Sequence, residues 1–123
     1  MLLDTHTLIW WFEDASFLST TARRAIQNAA AAPFFSAASV YEAEYKIARG
    51  KIRPLQAAVI DLARGQGFIE LPISARHADL AARFPAAHKD PWDRVLAAQA
   101  ISESMSVVSR DPRIAALGAT TLW

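Results

Sequence analysis

Short apolar segments alternate with longer amphipathic segments along this chain, and acids, serines, prolines and glycines separate them. Brief, fully apolar stretches are typical of strands buried on both faces of a sheet, and the longer segments repeat their apolar positions at helical spacing. The pattern predicts an α/β fold with a short central parallel sheet and helices on both faces. We expect a single domain over residues 1–123.

The predicted elements alternate between strand and helix along the whole chain. Strands are expected at residues 1–4, 33–36, 68–71, 105–109 and 119–123, the last at a sheet edge. Helices are expected at residues 5–12, 22–32, 39–48, 54–64, 74–84 and 92–104, with one more after Asp111-Pro112. Ser39 and Glu42 have the spacing of a capping box, and Asp90 before Pro91 suits an N-cap.

Composition narrows the class of protein. The chain is 53% hydrophobic and 20% charged, and no apolar run approaches the length of a membrane span. Its first residues lack the basic region of a secretory signal, so we expect a cytoplasmic protein with no membrane partner. Without cysteine, any metal must be held by oxygen or imidazole. A net charge of +1 means that any affinity for nucleic acid must be local.

Four acids follow strands or open the helices after them: Asp4, Glu42, Asp93 and Asp111. In a parallel sheet these junctions lie along the carboxyl edge, where ligands bind. Four carboxylates meeting there would repel one another unless protonated or bridged by cations, and an all-oxygen site suits Mg²⁺ or Mn²⁺. Phosphodiester hydrolysis by a metal-activated water is the chemistry that such a site supports. Each acid also has an ordinary role as a helix cap or a partner of the helix dipole.

Four basic residues surround the end of the third predicted helix: Lys46, Arg49, Lys51 and Arg53. They could complement the negative helix terminus, or they could bind the phosphates of RNA. The sequence favours neither interpretation.

Four segments of the chain resemble, in order, the successive motifs of PIN-domain ribonucleases, in particular toxins of the VapC type. They are Leu3–Trp11, Ser36–Glu42 with Lys46 and Gly50-Lys51-Ile52, His88–Arg94, and Val108–Asp111. The resemblance implies a PIN-like fold, with Asp4, Glu42, Asp93 and Asp111 as the catalytic, metal-binding acids. It implies Asp90, Ser109 and Thr5 as accessory residues. It also implies RNA cleavage, a homodimer, and a small antitoxin whose tail lies over the active site.

Two other functions stay open. Asp4-Thr5-His6-Thr7 nearly matches the nucleophile motif of aspartyl phosphotransferases, although His6 stands where that motif has a second acid. A non-catalytic RNA-binding or protein-interaction module on the same fold is the other alternative.

Three further residues or groups lack an assignment from the residues alone. Glu44 departs from the family pattern, and we expect it to be solvated. The aromatic cluster Trp10-Trp11-Phe12 could belong to the core or to an interface. We interpret His77 as a core or surface residue rather than a ligand.

Overall fold

The central strands form where short apolar segments are buried between helices, the two edge strands are more exposed, and the helices fill the connections between strands. The structure, a computed structural model, describes residues 1–123. The strands are β1 Leu2–Leu3, β2 Phe34–Ser36, β3 Ile69–Leu71, β4 Val107–Val108 and β5 Thr121–Leu122. The helices are α1 Thr5–Glu13, α2 Thr20–Gln27, α3 Ala37–Ala48, α4 Val59–Gly65, α5 Ala75–Arg83, α6 Pro91–Ser102 and α7 Pro112–Ala116, with a 3₁₀ turn at Ala15–Phe17.

All five strands are parallel and lie in the order β3-β2-β1-β4-β5. Leu2 is paired with Phe34 on one side and with Val107 on the other. From β1 the chain proceeds to β2 on one side, and from β4 it proceeds to β5 on the other side. The boundary between β1 and β4 is therefore the topological switch point, where open α/β sheets bind ligands. The predicted parallel sheet and its edge strand at the carboxyl terminus are confirmed.

Successive strand residues point to opposite faces and divide the core in two. Leu3, Phe35 and Val108 pack with apolar residues of α1 to α4. Leu2 and Val107 pack with residues of α6 and α7 on the other face, where α5 lies against α6. Helices therefore cover both faces, as predicted. None of the helices has the length and apolar character needed to cross a membrane.

The start of α3 corrects one prediction. Ser36, at the end of β2, is the N-cap, and its Oγ accepts the Ala38 N–H at 2.9 Å. Ser39 instead lies buried inside the helix, so the predicted capping box with Glu42 is wrong. The chain passes from strand to helix without a loop, so the first available hydroxyl becomes the cap.

Two further helix boundaries differ from the prediction. The second helix, α2, ends at Gln27, so the alanines up to Ala32 lie outside it. The fourth helix, α4, begins at Val59 rather than Pro54. Its own N-cap residue offers no side-chain hydrogen bond, and Glu44 of α3 accepts the Val59 N–H at 2.7 Å. Glu44 is thus a half-buried structural residue, and the expectation that it is solvated is wrong.

Candidate active site

Asp4 lies directly after β1 and serves as the N-cap of α1. Its Oδ1 accepts the His6 N–H at 3.4 Å, and its Oδ2 accepts a hydrogen bond from Ser109 Oγ at 2.6 Å. Only 6% of the residue is exposed. Burial raises the pKa of Asp4, the Ser109 hydrogen bond opposes that rise, and the negative charge of Glu42 adds to it. The carboxylate is therefore held in place at a cost to its ionised form.

Ser109 joins the ends of the two strands at the switch point. Its Oγ donates to Asp4 after β1 and accepts the backbone N–H of Asp111 at 3.0 Å. Asp111 is itself the N-cap of α7, since its Oδ1 accepts the Arg113 N–H at 2.9 Å. The Arg113 guanidinium binds the same carboxylate at 2.5 Å and lowers the pKa of Asp111.

Asp93 lies in the first turn of α6 and is buried without being the cap. The cap is Asp90, which accepts the Trp92 N–H at 2.9 Å, as the sequence predicted. Asp93 Oδ2 lies 3.2 Å from His88 Nε2 and 3.6 Å from Arg113 Nη2. Burial raises the pKa of Asp93 to about 6, with a further contribution from the charge of Asp90. Smaller contributions come from Asp111 and Asp4, so these acids act on one another electrostatically.

Glu42 faces the same edge from the middle of α3. It is 7% exposed, and its Oε1 lies 2.6 Å from Lys46 Nζ one helical turn later. Ser39, one turn before Glu42, accepts a hydrogen bond at 3.0 Å from Thr5, the residue after Asp4, so this part of α3 packs beside Asp4. The charge of Glu42 also adds to the raised pKa of Asp4.

The structure therefore brings the four predicted acids to one edge of the sheet. Asp4 and Asp111 are linked through Ser109, and Asp111 and Asp93 through Arg113. Lys46 and Arg113 offset part of the negative charge of these acids. No three acidic or histidine side chains converge closely enough to surround an ion. The available donors are all carboxylate oxygens, the ligands that Mg²⁺ and Mn²⁺ prefer, and two of the acids are buried with raised pKa values. The donor type therefore fits a divalent cation, although the carboxylates stand further apart here than a single bound ion requires.

A sequence model of the PIN domain matches residues 1–119 of the chain. The chain belongs to the PIN-domain family. This match confirms the family that the four motifs indicated, and it confirms the PIN fold. No curated protein sequence matches the chain significantly.

Solved structures share the fold at low sequence identity. A chain of VapBC2 from Rickettsia felis, bound to a DNA fragment from its promoter, matches with a TM-score of 0.73 and 12% identity, covering 98% of this chain and 96% of that one. A toxin–antitoxin complex from Klebsiella pneumoniae matches with a TM-score of 0.70 and 16% identity, over 99% and 95% of the two chains. FitAcB from Neisseria gonorrhoeae matches with a TM-score of 0.64 and 21% identity, covering 99% of this chain and 96% of that one.

Thr5 and the four basic residues occupy different surroundings in this PIN domain. Thr5 Oγ1 donates to Ser39 Oγ at 3.0 Å, so it ties α1 to α3 rather than contacting an acid. Lys46 pairs with Glu42, whereas Arg49 donates to Tyr45 Oη at 3.1 Å. The other two basic residues, Lys51 and Arg53, are exposed in the segment after α3. The phosphate-binding interpretation stays a prediction for these four.

Sequence reasoning missed three residues that shape the site. His88 and Arg113 contact Asp93, and Arg113 also binds Asp111. Arg94 donates to five backbone carbonyls between residues 81 and 88, at 2.7 to 3.3 Å. It thereby fixes the loop that carries His88. His88 and Arg94 stood within a recognised motif, but their spacing gave no sign that the loop turns back over the helix start.

A pocket of about 310 Å³ opens beside Asp4 and Asp111. Its other lining residues are His6, Trp10, Arg110 and Pro112. The Arg110 guanidinium lies 4.5 Å from the Trp10 ring centroid. Trp10, Trp11 and Phe12 are each half-buried and pack against the core from its margin, so the aromatic cluster is neither fully core nor fully exposed.

Proposed function

We propose that this PIN domain is a metal-dependent endoribonuclease and the toxin of a toxin–antitoxin pair. The observation that carries the proposal is the meeting of Asp4, Glu42, Asp93 and Asp111 at the switch point of the sheet. Asp4 and Asp93 are buried there with raised pKa values, although Asn at either position would have the same shape without the free-energy cost of burying a charge. Perturbed acids in such a position are typical of functional sites. Membership of the PIN-domain family supports the same conclusion.

The four acids would hold Mg²⁺ or Mn²⁺, which when bound supplies a water of lowered pKa and stabilises charge on the phosphoryl oxygens. The chain's own residues prepare the site. Ser109 fixes one oxygen of Asp4 and the backbone of Asp111. His88 and Arg113 both contact Oδ2 of Asp93 and orient it, and Arg94 fixes the loop that positions His88. These contacts hold the carboxylates in one geometry before substrate arrives.

The proposed activity is tested by incubating purified protein with single-stranded and structured RNA in Mg²⁺, in Mn²⁺ and in EDTA. Internal cuts that need a divalent cation and disappear in an Asp4→Asn variant are expected. Intact RNA under every condition, beside a control nuclease that cuts the same RNA, would refute the proposal. Metal-independent binding of RNA without cleavage would instead favour the non-catalytic alternative.

The proposed partners are an antitoxin protein and a second copy of the chain in the cytoplasm. The similar solved structures include a toxin–antitoxin complex, VapBC2 bound to promoter DNA, and FitAcB. In this chain a groove of about 440 Å³ lies between α1, α2 and the end of α4, lined by Trp11, Ile26 and Phe68 among others. A groove lined by apolar side chains and by the polar side chains of Gln27 and Gln66 suits an amphipathic peptide segment. Co-expression with the neighbouring reading frame, followed by co-purification of a stoichiometric complex, tests the proposed antitoxin partner.

A further inference from the structure

The outer side of α3 carries two aromatic rings that the carboxylate site does not use. Tyr41 is 56% exposed and Tyr45 is 48% exposed. Residues four apart share a helix face, and these two rings lie nearly parallel, with planes 11° apart and centroids separated by 5.8 Å. Trp92, in the first turn of α6, extends the series, since its ring centroid lies 5.1 Å from that of Tyr41. We call Tyr41, Tyr45 and Trp92 the aromatic row.

The aromatic row connects the carboxylate site to a positively charged segment. Tyr41 and Trp92 each directly precede one of the four acids in the chain. At the other end, the Arg49 guanidinium lies 5.4 Å from the Tyr45 ring centroid. Residues 46–53 include four basic side chains and no acid. A strand of nucleic acid that follows the row would therefore meet cations at one end and the acids at the other.

We propose that the aromatic row is a stacking surface for the unpaired bases of single-stranded RNA that enters the carboxylate site. The proposal rests on the proposed nuclease function and narrows its substrate. Exposed aromatic rings stack on bases of any sequence, and adjacent cations attract the phosphates between them. The bases of a duplex already stack on one another, so a duplex would gain only the electrostatic part.

The charge beside the row favours RNA as its occupant. Arg49, Lys51 and Arg53 are exposed, and none of them forms a salt bridge with an acid of this chain. These cations and the tyrosine hydroxyls complement a polyanion. A second copy bound through the row would be recognised as a dimer that depends on Tyr41.

The test is binding of a fluorescently labelled oligouridylate of eight nucleotides, measured by anisotropy in EDTA at low ionic strength so that nothing is cut. Tyr41→Ala and Tyr45→Ala should each weaken binding at least about fivefold, because one stacked base is lost. Tyr41→Phe keeps the ring and should bind within about twofold of the parent. Ile69→Ala is the matched control, since Ile69 is 45% exposed at the amino end of edge strand β3 and away from the row.

Three results would overturn the proposal. The first is alanine variants that bind the oligonucleotide as the parent does. The second is an equal loss of binding to a duplex of the same length. The third is a parent that light scattering shows to be a dimer while Tyr41→Ala is a monomer, which would mean that a second copy covers the row. Cleavage in Mn²⁺, measured separately, distinguishes the two proposals: a parent that binds through the row but cuts nothing refutes only the nuclease.

Discussion

Replacing Asp93 by Asn should stabilise the metal-free protein at neutral pH while removing most of its RNA cleavage. The pKa of Asp93 rises from 3.8 to about 6, chiefly because the carboxyl is buried. One pKa unit corresponds to about 1.4 kcal/mol, so ionised Asp93 destabilises the fold by up to about 3 kcal/mol. Adjustment of solvent and of Arg113 reduces that figure, and we expect a gain of about 1 to 2 kcal/mol in the free energy of unfolding. Asn keeps the shape and an acceptor for His88 but carries no charge.

The size of this stabilisation depends on pH in a defined way. Asp93 loses its proton near pH 4 in the unfolded chain and near pH 6 in the folded protein. Between these values the folded state binds more protons, so the contribution of Asp93 to stability falls as the pH rises through this window and stays low above it. The Asn variant lacks this decline. Parent and variant should therefore have similar melting temperatures near pH 4 and differ at pH 7, by roughly 3 to 8 °C.

Thermal melts at both pH values, with and without Mn²⁺, measure the effect. A ligand in hundredfold excess over its Kd stabilises the parent by about 2.7 kcal/mol, and the variant should gain less because a ligand is missing. Asp90→Asn is the matched control, since Asn caps a helix about as well as Asp and should leave cleavage nearly unchanged. An Asp93→Asn protein that cleaves RNA at the parent rate and shows the parent's metal shift would refute the reasoning.

Three other substitutions test separate parts of the structure. Ser109→Ala removes the hydrogen bond that opposes the raised pKa of Asp4, so it should lower the free energy of unfolding by about 1 kcal/mol. The pKa of Asp4 should then rise further, and a pH–rate profile should show cleavage increasing at a higher pH than in the parent. Glu44→Ala leaves the Val59 N–H at the start of α4 without its acceptor and should lower stability by about 1 kcal/mol in urea melts, with cleavage retained. Trp11→Ser should weaken antitoxin binding in calorimetry more than it weakens cleavage, and equal losses of both would indicate misfolding instead.

Local spacing predicted the sheet well because the three central strands are short apolar runs that end at a polar residue, namely Asp4 after β1, Ser36 in β2 and Ser109 after β4. It failed where a choice depended on a distant partner. Ser36 and Ser39 are both good N-cap residues, and the sequence does not show that Ser36 also donates to Gln99 Oε1 at 2.6 Å across the fold. Likewise, Pro54 signals a helix start, but the acceptor that begins α4 comes from Glu44 on another helix.

In the candidate site too, the residues marked by local spacing could be predicted and their distant partners could not. The four acids were identifiable because each follows a strand or opens a helix, and the carboxyl edge of a parallel sheet collects such positions. Their basic and imidazole partners were not identifiable. Arg113 reaches Asp93 only because α7 and α6 meet at the switch point, and Arg94 binds the carbonyls of a loop that precedes it in the chain. Such contacts depend on tertiary packing, which residue spacing does not encode.

Capping and catalysis were alternatives for these acids in the sequence, and the structure removes the conflict between them. Asp4 uses Oδ1 to cap α1, while its Oδ2 points to Ser109 and the site. A cap needs one oxygen, so the helix start can hold a carboxylate in place while the other oxygen stays available to a ligand. Asp93 makes the stronger case, because Asp90 already caps its helix. Asp93 does not cap its helix, and burial raises its pKa to about 6 despite the ion pair with Arg113, so its charge is best explained by what it binds.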